Sequence, residues 1–199
     1  MSRFLETIRC CNGVLENLAG HHARLNRTRR HFFGPVADWD LARLVQIPPG
    51  LSPDRVYRCR MIYGQTIESV EFIPYPIRPV RSLQLVRADG LDYAFKYADR
   101  SKLVDLQKDT KADEVLFVKQ GLLTDTSYAN IALFDGACWY TPHEPLLEGT
   151  RRAQLLAEGV LIRERLAPAD LQYFQKIRLL NAMMLWEEGP EVSIPAVRN

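Results

Sequence analysis

Alternating apolar and polar residues predict several strands in the first half of the chain. The segments RFLETIRCC, RVYRCRMIY, TIESVEFIPY and SLQLVRA show this alternation and are rich in β-branched or aromatic residues. Asn12-Gly13, directly after the first segment, is a hairpin-type turn signal. Two other stretches have helical spacing. NLAGHHARLNRTRRHFFG is ended by Gly34-Pro35, and WDLARLVQI is ended by Pro48-Pro49-Gly50. The first half is therefore predicted to combine helices with a small sheet.

The second half has the same mixed character. Residues 99–111 predict a helix, and DEVLFVKQG, NIALFDG and CWYTP predict strands joined by short turns. GTRRAQLLAEG predicts a helix capped by Thr150 and ended by Gly159, and another helix is expected to begin near Pro168. The apolar run IRLLNAMMLW is compatible with a strand or a helix. This order predicts an α+β fold with antiparallel or mixed sheets.

A proline-rich run divides the two halves. PYPIRP, at residues 74–79, predicts an extended and stiff connection. We therefore expect two small subdomains, residues 1–80 and residues 81–199, with the second carrying the reactive lysine and the site lying between them.

Composition narrows the class of protein. The 199 residues suffice for a real core, and a net charge of only +2 argues against recruitment of nucleic acid or of a membrane surface. No apolar run approaches the ~20 residues of a membrane span, and no signal-peptide pattern begins the chain. The four cysteines lack zinc-site spacing, so we expect free thiols, a cytoplasmic protein and no bound metal.

Three local features are candidates for one chemical site. Lys96 stands among Tyr93, Phe95 and Tyr97, and burial would lower its pKa and free the amine for imine chemistry, although such a lysine can also extend past apolar neighbours to water. Asp125 is predicted in a turn between two strands, where it could hold a protonated ring nitrogen or bond its own backbone. Gly149 and Thr150 open a helix whose N-terminus suits phosphate.

An imine-forming amine, an acid for a ring nitrogen and a phosphate cradle are together what pyridoxal 5′-phosphate (PLP) requires. With these residues, the chain resembles the fold-type IV PLP enzymes, or class IV aminotransferases. The similar segments are FLETIR, HHARLNRT, FKYADR, LLTDTSYANIALF, PLLEGTRR and LLNAMM, in the family's order. The resemblance implies a homodimer with two small α/β subdomains, shortened at the N-terminus because the usual leading hairpin is missing.

The resemblance also implies a role for individual residues. Lys96 would be the catalytic lysine that bonds to the cofactor, and Arg24 would bind its phosphate. The other implied cofactor-binding residues are Asp125 for the pyridine nitrogen, where glutamate is usual, Asn130, the phosphate turn Gly149, Thr150 and Arg151, and Asn181 beside the cofactor.

The runs K-Y-A-D-R and L-N-A-M-M are most similar to the 4-amino-4-deoxychorismate lyase branch, which acts in folate biosynthesis. That branch converts a small amino substrate to 4-aminobenzoate and pyruvate. The alternatives are a branched-chain or D-amino-acid transaminase, a family member that binds PLP without turnover, and a non-catalytic module. The last rests on RLNRTRRHFF, whose basic and aromatic residues could contact RNA, although its arginines spread around the helix.

Overall fold

The computed structural model describes residues 2–198, and contacts divide the chain into two compact units. The first unit comprises the chain as far as Ile77 together with Phe95–Asp99, and the second comprises Arg78–Ala94 and the chain from Arg100 onward. The segment Phe95–Asp99 carries Lys96. The lysine therefore belongs to the first unit, although it was expected in the C-terminal subdomain.

The first unit is built on one antiparallel sheet and one long helix. Its elements are β1 (Phe4–Cys11), β2 (Val14–Leu15), α1 (Leu18–Phe33), α2 (Leu41–Leu44), β3 (Tyr57–Tyr63) and β4 (Ile67–Pro74). The strand order is β2-β1-β3-β4, and every pair is antiparallel. The predicted hairpin is confirmed: Asn12 and Gly13 have φ of 49° and 68°, the left-handed conformations that a tight β1–β2 turn requires.

Successive side chains of a strand point to opposite faces, so Phe4, Glu6 and Ile8 of β1 lie on the same face of the sheet. Phe4 and Ile8 are completely buried and pack with Leu25 of α1 and Met61 of β3. Each such apolar side chain contributes roughly 1.5–3 kcal/mol by leaving water. Glu6, between the two, is also 0% exposed, so this face buries a carboxylate inside an apolar core.

The two helices predicted in the first half differ in length. The predicted stop of α1 is confirmed, since Gly34 follows the helix with φ of 77°. The second helix is a single turn, α2, and Trp39, two residues before its start, is held by the helix α1. Both backbone groups of Trp39 bond to the Asn26 side chain, at 2.9 Å and 3.0 Å, and α2 begins only after Asp40.

The second unit contains two sheets. Its elements are β5 (Leu83–Arg87), α3 (Ser101–Gln107), β6 (Glu114–Lys119), β7 (Leu122–Thr126), β8 (Asn130–Phe134), β9 (Trp139–Pro142), α4 (Thr150–Ala157), β10 (Ile162–Glu164), β11 (Lys176–Leu180), β12 (Glu191–Ser193) and β13 (Val197–Arg198). The strand orders are β10-β9-β8-β11-β12 and β13-β5-β6-β7. Parallel pairs such as β5–β6 occur beside antiparallel pairs such as β8–β11, which confirms the predicted α+β fold with mixed sheets.

The core of the second unit lies between these strands. Leu83, Leu116, Ile131, Leu133 and Leu179 are completely buried in it. The ambiguous run IRLLNAMMLW contains strand β11, and the helix expected at Pro168 is a 3-10 helix, Pro168–Tyr173. α4 ends at Ala157, and Gly159 follows with φ of 73°, as predicted.

Two general expectations concern the whole chain. All four cysteines are free thiols. Within residues 2–198, no helix has the length and apolar character that crossing a membrane requires.

Candidate active site

The segment carrying Lys96 is attached to the edge of β1. The Lys96 carbonyl accepts a hydrogen bond from the Leu5 N–H at 2.8 Å, and Tyr97 forms an antiparallel bridge with Phe4. The Tyr97 N–H also bonds to the Phe95 carbonyl at 2.9 Å, which makes Lys96 the central residue of a γ-turn. The backbone on either side of the half-buried Lys96 side chain is therefore fixed by pairing to a core strand.

The aromatic residues near Lys96 fall into different units. Phe95 and Tyr97 pack in the core of the first unit, with ring centroids 4.9 Å from Phe32 and 5.4 Å from Phe4 respectively. Tyr93 packs against the second unit's core. Within the first unit, the two adjacent rings hold the chain on both sides of the lysine.

Glu6 is the centre of a buried polar cluster in the first unit. Arg24 donates from Nε to Oε1 at 2.9 Å and from Nη2 to Oε2 at 2.6 Å. The Nδ1 atom of His21 lies 2.7 Å from Oε2, and it carries the proton because an ionised carboxylate only accepts. α1 presents both partners to Glu6 since residues three apart share a helix face.

The charges in this cluster determine its protonation. Burial raises the pKa of Glu6, but the charge of Arg24 and the hydrogen bonds from His21 and Arg24 outweigh it and lower the pKa to about 2. Burial lowers the pKa of His21, and the positive charges of Arg24 and Lys96 lower it further. The hydrogen bond and the negative charge of Glu6 raise it, but the net shift is downward. Near neutral pH, Glu6 is therefore ionised and His21 is neutral. The charge of Lys96 is close enough to this cluster to affect the pKa of His21.

Asp125 and Asn130 flank the turn between β7 and β8. Asp125 was expected in the turn itself, but it lies on β7, because the Thr126 N–H closes the turn one residue later by donating to the Ala129 carbonyl at 2.9 Å. Asn130 Nδ2 donates to Asp125 Oδ1 at 2.8 Å and to the Leu147 carbonyl at 2.9 Å. The Leu147 N–H donates to Asp125 Oδ2 at 2.9 Å, so both backbone groups of Leu147 are held.

The loop that contains Leu147 leads directly into α4. The N-cap is Gly149 and makes no side-chain cap bond, while Thr150, the expected cap, is the first helical residue. The first-turn N–H groups of a helix lack intrahelical partners and attract anions. Gly149 lies against Asn130, since a Cβ there would stand 1.9 Å from Asn130 Oδ1, and only glycine fits. The Arg151 side chain bonds along the helix to Gln154 at 3.0 Å.

Asp125 is 4% exposed, and its environment favours a bound proton. Burial raises its pKa to about 7, although the hydrogen bonds from Asn130 and Leu147 and the charge of Arg152 lower it. Arg152 is completely buried and donates to Thr141 Oγ1 at 3.1 Å, to Glu148 at 3.2 Å and to the Pro142 carbonyl at 2.5 Å. Asp125 therefore changes its protonation near neutral pH in the cofactor-free protein.

Asn181 comes directly after β11, the strand that pairs with the strand of Asn130. It follows Leu180, the last residue of β11, and Leu180 pairs with Asn130 of β8. Its Oδ1 accepts a hydrogen bond from the Met183 N–H at 2.8 Å and thereby shapes the turn after the strand. Six of the predicted residues, Asp125, Asn130, Gly149, Thr150, Arg151 and Asn181, thus lie in the second unit, whereas Lys96 and Arg24 lie in the first.

Sequence reasoning missed three members of these clusters: Glu6, His21 and Arg152. The signal for Glu6 was present, because alternation in FLETI places an acid on the same face as Phe4 and Ile8, where a buried charge needs a partner. His21 lies one helical turn before Arg24 in the segment HHARLNRT, in which only Arg24 was given a role. Arg152 carried no local sign that it, and not Arg151, would be wholly buried.

Comparison with known proteins identifies the family to which this chain belongs. The model of the family described as amino-transferase class IV matches residues 3–187. An uncharacterized protein of Haemophilus influenzae is 34% identical over 186 residues, which cover 92% of this chain and 98% of the relative. The chain belongs to the class IV aminotransferase family.

Solved structures agree with this membership. The crystal structure of a Haemophilus somnus protein, named as a candidate 4-amino-4-deoxychorismate lyase, has a TM-score of 0.86 and 31% identity, and the match covers 92% of this chain and 97% of that one. A hypothetical aminotransferase of Mycobacterium tuberculosis in its PLP-bound form has a TM-score of 0.74 and 20% identity, covering 96% and 80%, and shows the shared fold. The fold is therefore of fold type IV.

Class IV aminotransferases are PLP enzymes, so this chain is an enzyme and PLP is its cofactor. The residues present fit that group. The Asp125 carboxylate accepts two hydrogen bonds and keeps acceptor sites for a protonated ring nitrogen. The first turn of a helix presents backbone N–H groups that attract a phosphate, and α4 begins such a turn at Thr150. Arg24, the expected phosphate ligand, is held in place by Glu6 through its Nε and Nη2 atoms.

Proposed function

We propose that this protein is a 4-amino-4-deoxychorismate lyase, which converts its substrate to 4-aminobenzoate and pyruvate. The observation that carries the proposal is the similarity to the Haemophilus somnus protein, which extends over nearly the full length of both chains at 31% identity. The runs K-Y-A-D-R and L-N-A-M-M support the same branch of the family.

The residues of the two clusters have separate roles in this proposal. PLP, when bound, supplies an electron sink through its protonated ring. Asp125 holds the ring-nitrogen proton, and its burial makes that ionic contact stronger than it would be in water. The start of α4 and Arg24 hold the phosphate, where charge-assisted hydrogen bonds are worth roughly 1.5–3 kcal/mol each.

Lys96 is the proposed proton carrier. Its amine removes the proton from the ring carbon that bears the substrate's amino group and returns a proton to the departing enolpyruvyl group. The ring carbon–oxygen bond breaks, the ring becomes aromatic, and the released enol becomes pyruvate, so no second substrate, oxidant or reductant is needed. The γ-turn at Lys96 and the pairing of its segment with β1 support this role, because together they fix the backbone position from which the side chain extends.

The test supplies 4-amino-4-deoxychorismate as the only substrate to the PLP-loaded protein and measures 4-aminobenzoate and pyruvate. We expect both products in equal amounts, and none from a Lys96→Ala variant. The exposed Lys102 is the matched control, so Lys102→Ala should keep the activity. Parallel reactions offer amino acids with 2-oxoglutarate, and fast amino transfer without aminobenzoate would replace the lyase by the transaminase.

The proposal includes a cytoplasmic homodimer, as the family resemblance implies. Light scattering on the purified protein should give twice the 22.9 kDa of one chain. A monomer that retains lyase activity would remove the dimer from the proposal and leave the reaction intact.

A further inference from the structure

We propose that Asn130 is a positioning residue that joins the acid Asp125 to the turn before α4, so that the ring-nitrogen end and the phosphate end of the cofactor site are held as one piece. The inference rests on the cofactor roles proposed for Asp125 and Gly149, and it does not depend on which reaction the enzyme catalyses.

The side-chain amide of Asn130 donates both of its hydrogens within the protein. Its Nδ2 carries two hydrogens, and these go to Asp125 Oδ1 at 2.8 Å and the Leu147 carbonyl at 2.9 Å. The donors of this amide are therefore used inside the protein. Its action on a cofactor is then indirect, through the groups that it holds.

The loop before α4 is fastened to Asp125 by a further hydrogen bond. Leu147 N–H donates to the other oxygen of Asp125, at 2.9 Å. Asp125, Asn130 and Leu147 thus form a ring of three hydrogen bonds that fastens strand β7 and strand β8 to the loop two residues before the N-cap of α4. Asp125 and Asn130 are 4% and 6% exposed, so these bonds do not compete with bulk water.

Asn130 also lies directly against Gly149, the N-cap of α4. Each atom that would lie within 4 Å of a Cβ at Gly149, among the nearest three, belongs to the Asn130 side chain, and Oδ1 would be at 1.9 Å. Gly149 has φ of −71°, which any L-residue adopts, so the need for glycine is steric and arises from Asn130. One amide side chain therefore touches both the acid and the start of the helix.

The test uses Asn130→Ala in the cofactor-free protein with three probes: inorganic phosphate, pyridoxal without phosphate, and the titration of Asp125 by NMR of carbon-13-labelled aspartate. We expect binding of both small molecules to weaken at least about fivefold. Because the Asn130 hydrogen bond favours the ionised carboxylate, the Asp125 midpoint should move upward in the variant.

Asn26→Ala is the matched control. Asn26 is a buried asparagine in the first unit whose side chain exchanges two hydrogen bonds with the backbone of Trp39 and accepts a longer one from Arg29. It should lower stability comparably and leave phosphate binding, pyridoxal binding and the Asp125 midpoint unchanged. If Asn130→Ala behaves in the same way, its role is structural only and the proposal is overturned. An effect on one small molecule alone would also overturn it, since the two ends would not be coupled.

A second pair of variants keeps the test valid if Asn130→Ala folds poorly. Gly149→Ala alone should disrupt phosphate binding by more than about tenfold because of the clash with Asn130. In the Asn130→Ala background, the same Gly149→Ala change should add less than about twofold, because the space has been opened. Additive losses in the double variant would show that the two residues act independently.

The outcomes separate this inference from the proposed function. A protein that transaminates and forms no aminobenzoate, yet shows the coupled losses, would refute the lyase and support the positioning role. A working lyase whose Asn130→Ala variant changes only in stability would support the lyase and refute the positioning role.

Discussion

Glu6 binds Arg24 through two hydrogen bonds in the interior of the first unit, at 2.9 Å and 2.6 Å. Glu6 is ionised, so the positive charge of Arg24 is already compensated before any phosphate approaches. Arg24 would therefore act on a phosphate as a rigidly held hydrogen-bond donor more than as an isolated charge. This also makes Arg24 important for stability, because it is the main partner of a buried carboxylate.

Replacing Arg24 by alanine tests both consequences. We expect Arg24→Ala to lower the free energy of unfolding by about 3–5 kcal/mol, since it leaves Glu6 buried with only His21 as a partner. The PLP dissociation constant should rise at least about tenfold, which corresponds to 1.4 kcal/mol. Urea unfolding and a spectrophotometric titration measure the two effects.

Arg30→Ala is the control on the same helix. Arg30 pairs with Asp38, and both side chains are about half exposed, at 51% and 53%. Its loss should change stability by no more than about 1 kcal/mol and leave PLP affinity unaltered. If Arg24→Ala does not fold, the double variant Glu6→Gln with Arg24→Met removes both charges together. Unchanged PLP affinity in either form would exclude Arg24 from the phosphate site.

Asp125 should make the stability of the cofactor-free protein depend on pH. Its folded pKa of about 7 is above its ordinary value of 3.8, so the folded state binds the proton more tightly than the unfolded state. The resulting stabilisation is complete below about pH 4 and is lost as the pH rises through 7. Each pKa unit corresponds to about 1.4 kcal/mol, which sets an upper bound of roughly 4 kcal/mol.

The measurement compares wild-type protein with Asp125→Asn by urea unfolding between pH 4.5 and 8. The difference between the two proteins isolates Asp125, because other groups titrate in both. His21, whose folded pKa is lowered, contributes in the opposite direction, with stability that is gained as the pH rises. Parallel pH profiles for the two proteins would mean that Asp125 is not the proton-binding group.

Arg152 should tune the proton affinity of Asp125. Its charge lowers the Asp125 pKa, and its side chain is completely buried with three hydrogen-bond acceptors around it. Arg152→Met removes the charge, so the Asp125 midpoint should rise. Arg152→Lys keeps the charge but cannot reach three acceptors at once, so it should lose stability with a smaller change in the midpoint. Equal midpoints in the two variants would contradict an electrostatic effect.

Local pattern predicted the elements of this fold well. The β1–β2 turn at Asn12-Gly13, the ends of α1 at Gly34 and of α4 at Gly159, and the mixed sheets all follow from short-range chemistry. These features depend on the conformational preferences of a few neighbouring residues, which the sequence displays directly.

The errors arose where distant segments pair. The pairing of the Lys96 segment with Phe4 and Leu5 joins residues more than ninety positions apart, and no local pattern announces it. Asp125 was expected in a turn because short polar residues surround it, but its bonds to Asn130 and Leu147 keep it on a strand. The Glu6 cluster was missed because its donors come from a helix that follows the strand in the chain.

The bond between Lys96 and PLP can be tested directly by reductive labelling. We expect the purified protein to be yellow with PLP bound, and borohydride to bleach the colour and fix the cofactor mass on the peptide that contains Lys96. The reason is that imine formation requires an amine held in place, and the backbone of Lys96 is fixed by its bond to Leu5 and by the γ-turn. Peptide mass spectrometry after reduction identifies the labelled lysine.

Lys102 provides the internal control, because it lies on the exposed face of α3 only six positions further along the chain. Lys96→Ala should abolish the reducible label, whereas Lys102→Ala should retain it at wild-type yield. The Lys96→Ala variant should still bind PLP weakly, since Asp125 and the start of α4 remain. Label on Lys102 in the wild-type protein would reassign the catalytic lysine, and it would remove the pairing with β1 as the device that positions it.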